Sequence, residues 1–392
     1  MLIKRPFWQA LIERAWEEKN IVWLMGIRRV GKTSVCQTLP NIEYFDCERP
    51  RIRQLMEDPE AFLAGQRGKR LVLDEIHRLE NPSEILKLAA DHYPQVKIVA
   101  TGSSTLGASA KFKDTLTGRK REVWLTPLLL DEIGDFGSES LQHRMLFGGL
   151  PSFFASKELP EDDFREWIDA YWAKDVQEVF SVSKRYSFQK FTELLLAQSG
   201  GQFEASSFTG PCEVSRQTIA NYLAVLEATF VVHVLRPHST RRANEITMAP
   251  KVYGFDTGFV CYAKGWRTLR PEDRGLLWES CILNELHGYR QRQQVNYWRD
   301  KQGHEIDFIL KKRGSEEIAA IECKFSSGSL SKNREACAQI AANFEVFRRH
   351  YPHGTNFVVS SDVERIFEKQ CGTVTLSFVN ADQLIRALSS AA

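Results

Sequence analysis

The sequence predicts an α/β protein, and its first part, roughly residues 1–135, is predicted to be a parallel sheet with helices on both faces. Five apolar, strand-like runs alternate there with helical patterns, such as residues 82–92. A loop bounded by glycines follows the first run directly, and two carboxylates end the third. The alternation indicates a parallel sheet, and the loop indicates a P-loop nucleotide-hydrolase core. The runs are residues 21–24, 42–45, 70–73, 96–101 and 122–125.

The loop, residues 26–33, reads Gly-Ile-Arg-Arg-Val-Gly-Lys-Thr and matches the phosphate-binding pattern Gly-x-x-x-x-Gly-Lys-Thr. Such a loop aims backbone N–H groups and a helix N-terminus at the triphosphate of ATP or GTP. Lys32 is predicted to reach the β- and γ-phosphates, and the Thr33 hydroxyl to ligate Mg²⁺. Arg28 and Arg29 either add positive charge toward the phosphates or face solvent. The predicted nucleotide-binding residues are Gly26, Ile27, Arg28, Arg29, Val30, Gly31, Lys32, Thr33 and Ser34.

The acidic run, residues 70–75, ends in Asp74 and Glu75 and is typical of a Walker B strand. Asp74 is predicted to hold the metal through water, and Glu75 to orient the attacking water. One predicted strand separates this run from the phosphate loop, as in the branch of P-loop enzymes that carries a catalytic glutamate beside the metal aspartate. The alternative is an ordinary acidic strand end.

Two further residues are candidates for the reaction. Ser103, in the segment Thr-Gly-Ser-Ser that ends the fourth run, is predicted to sense the γ-phosphate or the water, with Thr101 and Ser104 as alternatives and a simple turn as the other interpretation. Arg119 precedes the fifth run and is a candidate transition-state cation, acting in cis or in trans. Because Lys120 and Arg121 follow it, a solvated basic turn is the alternative.

The middle of the chain is predicted to contain a helical lid, residues 136–185, and a winged helix, residues 186–245. Ser215 is a predicted N-cap of the recognition helix. That interpretation places Arg216, Gln217 and Asn221 on the exposed face, where they reach phosphates or base edges of DNA. Of the residues expected on or near the wing (Arg236, His238, Arg241 and Arg242), Arg241 and Arg242 are predicted DNA contacts. The alternative is a winged helix that serves only as a protein contact.

The C-terminal part, residues 246–392, carries a second set of chemical residues. A predicted hairpin contains Asp307, and the next strand contains Glu322-x-Lys324, which is the spacing of an Asp…Glu-x-Lys nuclease site. Residues 322 and 324 share one face because side chains alternate along a strand. The carboxylates are predicted to hold Mg²⁺ beside a phosphodiester, with Glu279 of a flanking helix as an additional ligand and Glu285 as its alternative. A surface ion pair is the other interpretation.

Composition bounds these predictions. A chain of 392 residues favours two or three domains, and a net charge of +2 gives no whole-protein argument for nucleic acid. The 8 cysteines are scattered without a Cys-x-x-Cys pair, so we expect reduced thiols and no zinc ribbon. No apolar run suits a signal peptide or a membrane span. We therefore expect a cytoplasmic protein without a membrane partner.

The whole length resembles a widespread family of prokaryotic ATPases that join an AAA-type P-loop domain to a C-terminal DUF4143 region, which is itself similar to restriction-endonuclease-like folds. The resemblance implies ATP hydrolysis with Mg²⁺ and a three-part layout, but no substrate. It rests on residues 26–33, 73–76, 101–104, 116–119, 125–128, 148–151, 251–258, the helix of Glu279, and residues 305–308 and 321–324.

Two functional hypotheses follow. The first is an ATP-driven enzyme that acts on DNA, with a C-terminal nuclease-like module that cuts or grips it with Mg²⁺. The second is a nucleotide-dependent regulatory switch that binds a protein partner and carries an inert nuclease-like domain. A homo-oligomer is compatible with both hypotheses, since Arg119 in trans requires a second copy.

Overall fold

The computed structural model describes residues 2–102, 115–177, 184–239, 248–291, 293–311, 314–328 and 334–390. Within these residues the strands form three sheets, one in each third of the chain. No helix among the described residues is both long and apolar enough to cross a membrane.

The first sheet confirms the predicted parallel core. Its five strands lie in the order β2-β3-β4-β1-β5, and every neighbouring pair is parallel. The strands are β1 (Ile21–Met25), β2 (Glu43–Asp46), β3 (Arg70–Asp74), β4 (Lys97–Thr101) and β5 (Lys120–Trp124). The helices of this part are α1 (Pro6–Glu18), α2 (Lys32–Gln37), α3 (Pro50–Leu55), α4 (Pro59–Ala64) and α5 (Pro82–His92).

Helices cover both faces of this sheet, because the strands are apolar on both faces. Val22 and Leu24 of β1 point to the side where Trp8 of α1 is buried. The alternate residue of the same strand, Trp23, belongs to the opposite core with Ile85 of α5. The central strand is therefore buried on both sides.

The middle part is helical, as predicted, and ends in a small antiparallel sheet with the order β6-β8-β7. Its helices are α6 (Leu141–Phe147), α7 (Pro151–Phe154), α8 (Glu161–Tyr171) with a π-helical continuation (Trp172–Val176), α9 (Arg185–Ala197), α10 (Ala205–Cys212), α11 (Arg216–Ala228) and α12 (Thr257–Lys264). Its strands are β6 (Gly201–Gln202), β7 (Val232–Leu235) and β8 (Lys251–Gly254). Side chains of α8, α9 and α11 share one core with the first sheet, so the middle part of the chain packs directly on it.

A sharp turn joins α6 to α7. Gly148 has φ 84°, and a Cβ there would lie 2.0 Å from Asp256 Oδ1, so only glycine fits. The N–H of Gly149 donates to Asp256 Oδ2 at 2.6 Å, and Asp256 in turn caps α12. The turn is thereby fixed to the segment that follows β8.

The C-terminal sheet is mixed, with six strands in the order β13-β14-β12-β11-β10-β9. The predicted hairpin is present: β10 pairs antiparallel with both β9 and β11. The strands are β9 (Asn296–Arg299), β10 (Glu305–Lys311), β11 (Ile318–Cys323), β12 (Asn356–Val359), β13 (Phe367–Cys371) and β14 (Val374–Val379). Helices α13 (Arg274–Arg290) and α15 (Ala381–Ser390) lie on one face, and α14 (Arg334–His350) lies on the other.

One expectation about the cysteines is wrong. Cys337 of α14 and Cys371 of β13 form a disulfide, with their Cα atoms 6.0 Å apart. The 34-residue separation gave no signal in the sequence, since only the packing of α14 against β13 brings the two residues together. The other six cysteines are free and buried.

Candidate nucleotide site and C-terminal carboxylate cluster

The phosphate loop connects the end of β1 to α2, as predicted. Gly26 has φ 150°, and a Cβ there would lie 2.4 Å from the carbonyl oxygen of Leu125. Gly31 has φ 101° and begins α2. Arg29 also adopts a positive φ, 64°. Gly26 is required because the loop bends back against the segment after β5, and Gly31 because its φ lies in the region that favours glycine.

Lys32 lies inside this loop. Its Nζ donates to the carbonyl oxygens of Gly26 at 2.9 Å and Ile27 at 3.2 Å. Burial lowers the pKa of Lys32, although the charges of Glu75, Asp175 and Asp74 act in the opposite direction. The ammonium is thus held by weak neutral acceptors, which the oxygens of an anion can replace.

Asp74, at the end of β3, is surrounded by hydroxyl groups. Thr33 Oγ1 donates to Asp74 Oδ2 at 2.9 Å, which brings the two predicted metal residues together. Tyr44 of β2 donates to the same oxygen, and Thr101 of β4 donates to Oδ1. Asp74 is only 3% exposed, so these donors stabilise a buried charge. An all-oxygen set of this kind suits Mg²⁺.

Glu75 follows β3 in a left-handed conformation with φ 52°. Its N–H donates to Thr101 Oγ1 at 3.0 Å, and its carboxylate lies 3.1 Å from His77 Nδ1. Burial raises the pKa of Glu75, but the hydrogen bond from His77 and the charge of Lys32 outweigh burial and lower it overall. Glu75 is therefore an ionised acceptor at neutral pH. Of the three sensor candidates, Thr101 contacts both carboxylate residues, and Ser103 and Ser104 lie outside the described residues.

Several of the residues described above line one cavity of about 560 Å³. Lys32, Thr33 and Glu75 face it from the first part of the chain, and Pro151, Ser152 and Asp175 face it from the middle part. The volume is within the range of ligand-binding pockets, which is roughly 300–1,000 Å³.

The two loop arginines both line the cavity, and Arg29 is also exposed to solvent, so the structure is compatible with either expected role. Arg28 Nε pairs with Asp175 Oδ2 at 2.8 Å, and Arg29 Nη2 pairs with Glu166 Oε1 at 3.0 Å. Trp167 adds a hydrogen bond from its indole N–H to the carbonyl oxygen of Arg28 at 3.2 Å. The arginines therefore connect the phosphate loop to α8 and its π-helical continuation.

Arg119 lies far from this cavity. The next residue, Lys120, pairs with Ile21 at the start of β1. The phosphate loop, in contrast, follows the last residue of β1. Arg119 Nε donates instead to Asp91 Oδ1 at 2.7 Å. Its role in cis is therefore wrong, because residue 119 stands at the amino-terminal edge of the sheet. A role in trans stays a prediction.

Sequence reasoning missed three residues that shape the site. Tyr44 was one, Asp175 was another, and the third is Arg5, which is buried against Glu132 and donates from Nη1 to the carbonyl oxygen of Val30 at 3.2 Å. All three come from elements distant in the sequence, so no local motif marks them. The one available signal concerned Tyr44, because its strand β2 lies beside β3, the strand that ends in Asp74.

The four predicted C-terminal residues, Glu279, Asp307, Glu322 and Lys324, come together from α13, β10, β11 and the residue after β11. Lys324 Nζ donates to Glu322 Oε1 at 2.8 Å, and the N–H of Cys323 donates to Asp307 Oδ2 at 2.8 Å. Burial, with a contribution from the charge of Asp307, raises the pKa of both Glu279 and Glu322 to about 8. We call these four residues the carboxylate cluster.

The alternative helix residue, Glu285, is not a member of the carboxylate cluster. Its Oε1 accepts a hydrogen bond from the N–H of Leu130 at 3.0 Å. Two residues of β8 take part instead: Tyr253 donates to Glu279 Oε2 at 3.1 Å, and Lys251 pairs with Glu305 beside Asp307. The sequence gave no sign that β8 reaches this sheet.

The predicted metal site of the carboxylate cluster does not form. Among the described residues, no group of three or more His, Cys, Asp or Glu side chains could hold a metal ion. The carboxylate oxygens of the cluster instead accept hydrogen bonds from Lys324, Tyr253 and the N–H of Cys323. As they lie, the residues do not fit Mg²⁺.

Helix α11 presents its predicted polar face. The Ser215 side chain accepts a hydrogen bond from the N–H of Thr218 and caps the helix. Arg216, Gln217 and Asn221 are exposed, and Gln217 Nε2 donates to Asn221 Oδ1 at 3.1 Å. The two basic residues predicted near the wing, Arg241 and Arg242, lie outside the described residues.

Three family models match consecutive parts of the chain. Residues 18–134 match an AAA domain, which confirms the AAA-type core. Residues 138–270 match a domain of unknown function, DUF8612, and residues 274–369 match another, DUF4143, as the resemblance implied.

The chain is also similar to curated proteins without a described function. Uncharacterized proteins of Mycobacterium bovis and Mycobacterium tuberculosis are each 26% identical over 332 residues, covering 80% of this chain and 73% of theirs. An uncharacterized protein of Haemophilus influenzae is 23% identical over 290 residues, covering 70% of each.

Matches among solved structures are weak. McrB AAA+ hexamers with bound McrC, from Thermococcus gammatolerans, match with a TM-score of 0.25 and 14% identity over 52% of this chain and 53% of that one. Cdc6p of Pyrobaculum aerophilum matches with a TM-score of 0.27 and 12% identity over 70% of this chain and 94% of that one. Nothing is inferred from matches at this level.

Proposed function

We propose that this chain hydrolyses ATP with Mg²⁺ and couples the hydrolysis to an action on DNA. One observation carries the proposal: Lys32, Thr33 and Glu75 converge on a single cavity of about 560 Å³, beside the buried Asp74. These are the residue types that phosphoryl transfer to water requires, in the places where each can act.

Each residue has a distinct role in this proposal. Lys32 leaves its backbone acceptors for the β- and γ-phosphate oxygens. Thr33 and Asp74 hold Mg²⁺, which neutralises charge on the triphosphate when bound. Glu75, ionised at neutral pH because its pKa is lowered, accepts a hydrogen bond from the attacking water. Thr101 keeps Asp74 and Glu75 in position through its two hydrogen bonds.

The DNA part of the proposal rests on the middle of the chain. Helices α9, α10 and α11 are followed by the antiparallel strands β7 and β8, an order that supports a winged helix. The exposed residues Arg216, Gln217 and Asn221 of α11 would contact phosphates or base edges of DNA.

The order of elements in the last part, α13-β9-β10-β11-α14-β12, together with Asp307 and Glu322-x-Lys324, supports a nuclease-like module. Because the residues do not fit Mg²⁺ as they lie, we assign no cleavage step to it.

That same misfit favours a second candidate function, a nucleotide-dependent switch with an inert nuclease-like domain. The ion pairs from Arg28 to Asp175 and from Arg29 to Glu166 would transmit the state of the loop to the lid. A protein partner or a second copy of the chain would read that state.

The test is steady-state ATP hydrolysis with and without DNA, for the wild type, Glu75→Gln, and Glu57→Gln, an exposed matched control. We expect DNA to stimulate the wild type and the control alike. Glu75→Gln should lower the rate by about 10²–10³-fold, as when one preorganised group is removed from a transition state, while ATP still binds.

Arg216→Ala should reduce the stimulation by DNA without changing the basal rate. Hydrolysis that is indifferent to DNA would favour the switch. No hydrolysis by the wild type would contradict the ATPase proposal for the isolated chain.

A further inference from the structure

The carboxylate of Glu75 has a side-chain partner that comes from its own turn. Residues 76–78 form a short 3₁₀ helix directly after Glu75, and the N–H of Arg78 donates to the carbonyl oxygen of Glu75 at 3.0 Å. Ile76 in this helix is fully buried, which fixes the turn to the core of the first sheet. His77 Nδ1 lies 3.1 Å from Glu75 Oε2. The turn therefore holds the imidazole against the carboxylate.

The backbone of Glu75 adopts a conformation that needs support from its surroundings. Its φ of 52° lies in the left-handed region, which is unfavourable for a residue with a side chain. A hydrogen bond from its N–H to Thr101 fixes the backbone, and His77 fixes the carboxylate. Strained residues held by several neighbours cluster at functional sites. The strain therefore indicates that the direction of the Glu75 side chain matters.

A second cation competes for the same carboxylate. Glu75, His77 and Lys32 all line the nucleotide cavity. Burial raises the pKa of Glu75, and the hydrogen bond from His77 and then the charge of Lys32 lower it. The ammonium is thus near enough to attract the carboxylate, and a direct ion pair would occupy both groups. Instead, Lys32 donates to backbone carbonyls while Glu75 pairs with His77.

His77 engages only one of the two carboxylate oxygens. Among the described residues, none donates a hydrogen bond to Oε1 of Glu75, and the side chain is 33% exposed where it lines the cavity. A group that activates water must lie within hydrogen-bond reach of it. Oε1 is therefore the oxygen left to accept a hydrogen bond from water.

We propose that His77 is a positioning residue for ATP hydrolysis: its Nδ1–H holds Oε2 of Glu75 away from Lys32, so that Oε1 accepts from the attacking water. Lys32 then stays available for the phosphates. The inference rests on the proposed ATPase function. It requires the imidazole to carry a proton on Nδ1, since only a protonated nitrogen can donate.

Asn and Leu at position 77 form a matched pair for the test. Their side chains have the same branched shape, but only Asn carries an N–H donor, close to where Nδ1 of histidine lies. We expect His77→Leu to lower kcat by about 10²-fold with an unchanged KM, the loss that a misplaced catalytic group can cause. His77→Asn should recover most of this loss. His92→Leu, at an exposed histidine at the end of α5, is the control and should match the wild type.

Two further measurements separate positioning from structure. In the Glu75→Gln background, His77→Leu should cause no further loss of rate, because the two residues act as a unit. In the nucleotide-free wild type, long-range ¹H–¹⁵N NMR should show a proton on Nδ1 of His77, with His77→Asn used to assign the signal. Urea denaturation of every variant checks that it is folded.

A wild type that hydrolyses ATP no faster than His77→Leu would overturn the role of His77 and leave the ATPase proposal intact. Equal losses for His77→Leu and His77→Asn would contradict the role as well, and so would a proton on Nε2 alone. No hydrolysis by the wild type would instead overturn the proposed function, and this role with it. If His77→Leu does not fold, the rate of His77→Asn and the NMR signal still decide the outcome.

Discussion

The nucleotide site and the carboxylate cluster both contain buried carboxylates and lysines, but the hydrogen-bond and ion-pair partners of these side chains differ. At the nucleotide site, hydroxyl groups of Thr33, Tyr44 and Thr101 hold Asp74, and Lys32 donates to backbone carbonyls beside an open cavity. In the carboxylate cluster, the ammonium of Lys324 pairs directly with Glu322, and beside it the ammonium of Lys251 pairs with Glu305. The first set is arranged for a ligand to arrive, and the second is already neutralised by the protein.

The difference teaches that a motif specifies which charges meet but not what compensates them. Neutral donors stabilise a buried carboxylate without cancelling its charge, so a metal ion still gains by approaching it. An ammonium cancels the charge and occupies the space. Whether a lysine in an acidic site is a ligand-binding group or a counter-ion therefore depends on its partners.

Removing the lysine of the nucleotide site should produce the largest functional effect and little loss of stability. We expect Lys32→Met to lower the rate of ATP hydrolysis by about 10²–10³-fold. Its free energy of unfolding should be unchanged, because the ammonium is desolvated and bonded only to neutral carbonyls. Hydrolysis assays and urea denaturation would check this, with Lys69→Met as the exposed control. A clear loss of stability would show that Lys32 also serves as a structural cation.

Removing the lysine of the carboxylate cluster should have the reverse effect. We expect Lys251→Met to lower the free energy of unfolding by about 3 kcal/mol, since it leaves buried carboxylates without their counter-charge. The basal rate of ATP hydrolysis should be unchanged at temperatures where the variant is folded. Urea denaturation in metal-free buffer gives the comparison. Stability equal to that of the wild type would mean that Lys251 does not neutralise the carboxylate cluster.

Glu285 is a third kind of buried carboxylate, one that has no paired ammonium among the described residues. Burial raises its pKa to about 8, above the ordinary value for glutamate. The folded state thus binds a proton that the unfolded state has released, and the resulting stability is present below about pH 4.5 and lost as the pH rises through 8.

For this residue we expect the free energy of unfolding of the wild type to fall relative to Glu285→Gln by about 1.4 kcal/mol per pH unit at most, between pH 6 and 8. Urea denaturation across that range would measure the difference. Parallel pH profiles for the two proteins would indicate that Glu285 is ionised throughout.

Much of the nucleotide site could be predicted because its geometry is local. A strand, a glycine loop and a helix fix Lys32 and Thr33, and the parallel order of β1, β4 and β3 brings Asp74 to the same edge. The hairpin likewise placed Asp307 beside Glu322-x-Lys324 from strand alternation and pairing alone. These predictions needed only the period of a strand and the direction of its neighbour.

What could not be predicted depends on how separate sheets and helices pack. Lys251 and Asp175 act on sites in other parts of the fold, and no periodicity in their own segments indicates a distant partner. The position of Arg119 also depends on the packing of strands. It precedes β5, which borders β1, but it lies at the end of β5 that is away from the phosphate loop.

The turn held by Asp256 connects the nucleotide cavity to the region of the carboxylate cluster. Asp256 fixes Gly149, and two residues later Pro151 stands against the phosphate loop, with its Cγ 3.7 Å from where a Cβ of Gly31 would be. In the other direction along the chain, Asp256 is five residues from Lys251, a span of about 17 Å in an extended strand. Pro151 at the nucleotide cavity and Lys251 beside the carboxylate cluster are thus connected through one short segment, residues 251–256. Strand β8 of this segment is held on both sides by its neighbours β6 and β7. A movement of β8 would therefore displace both Pro151 and Lys251.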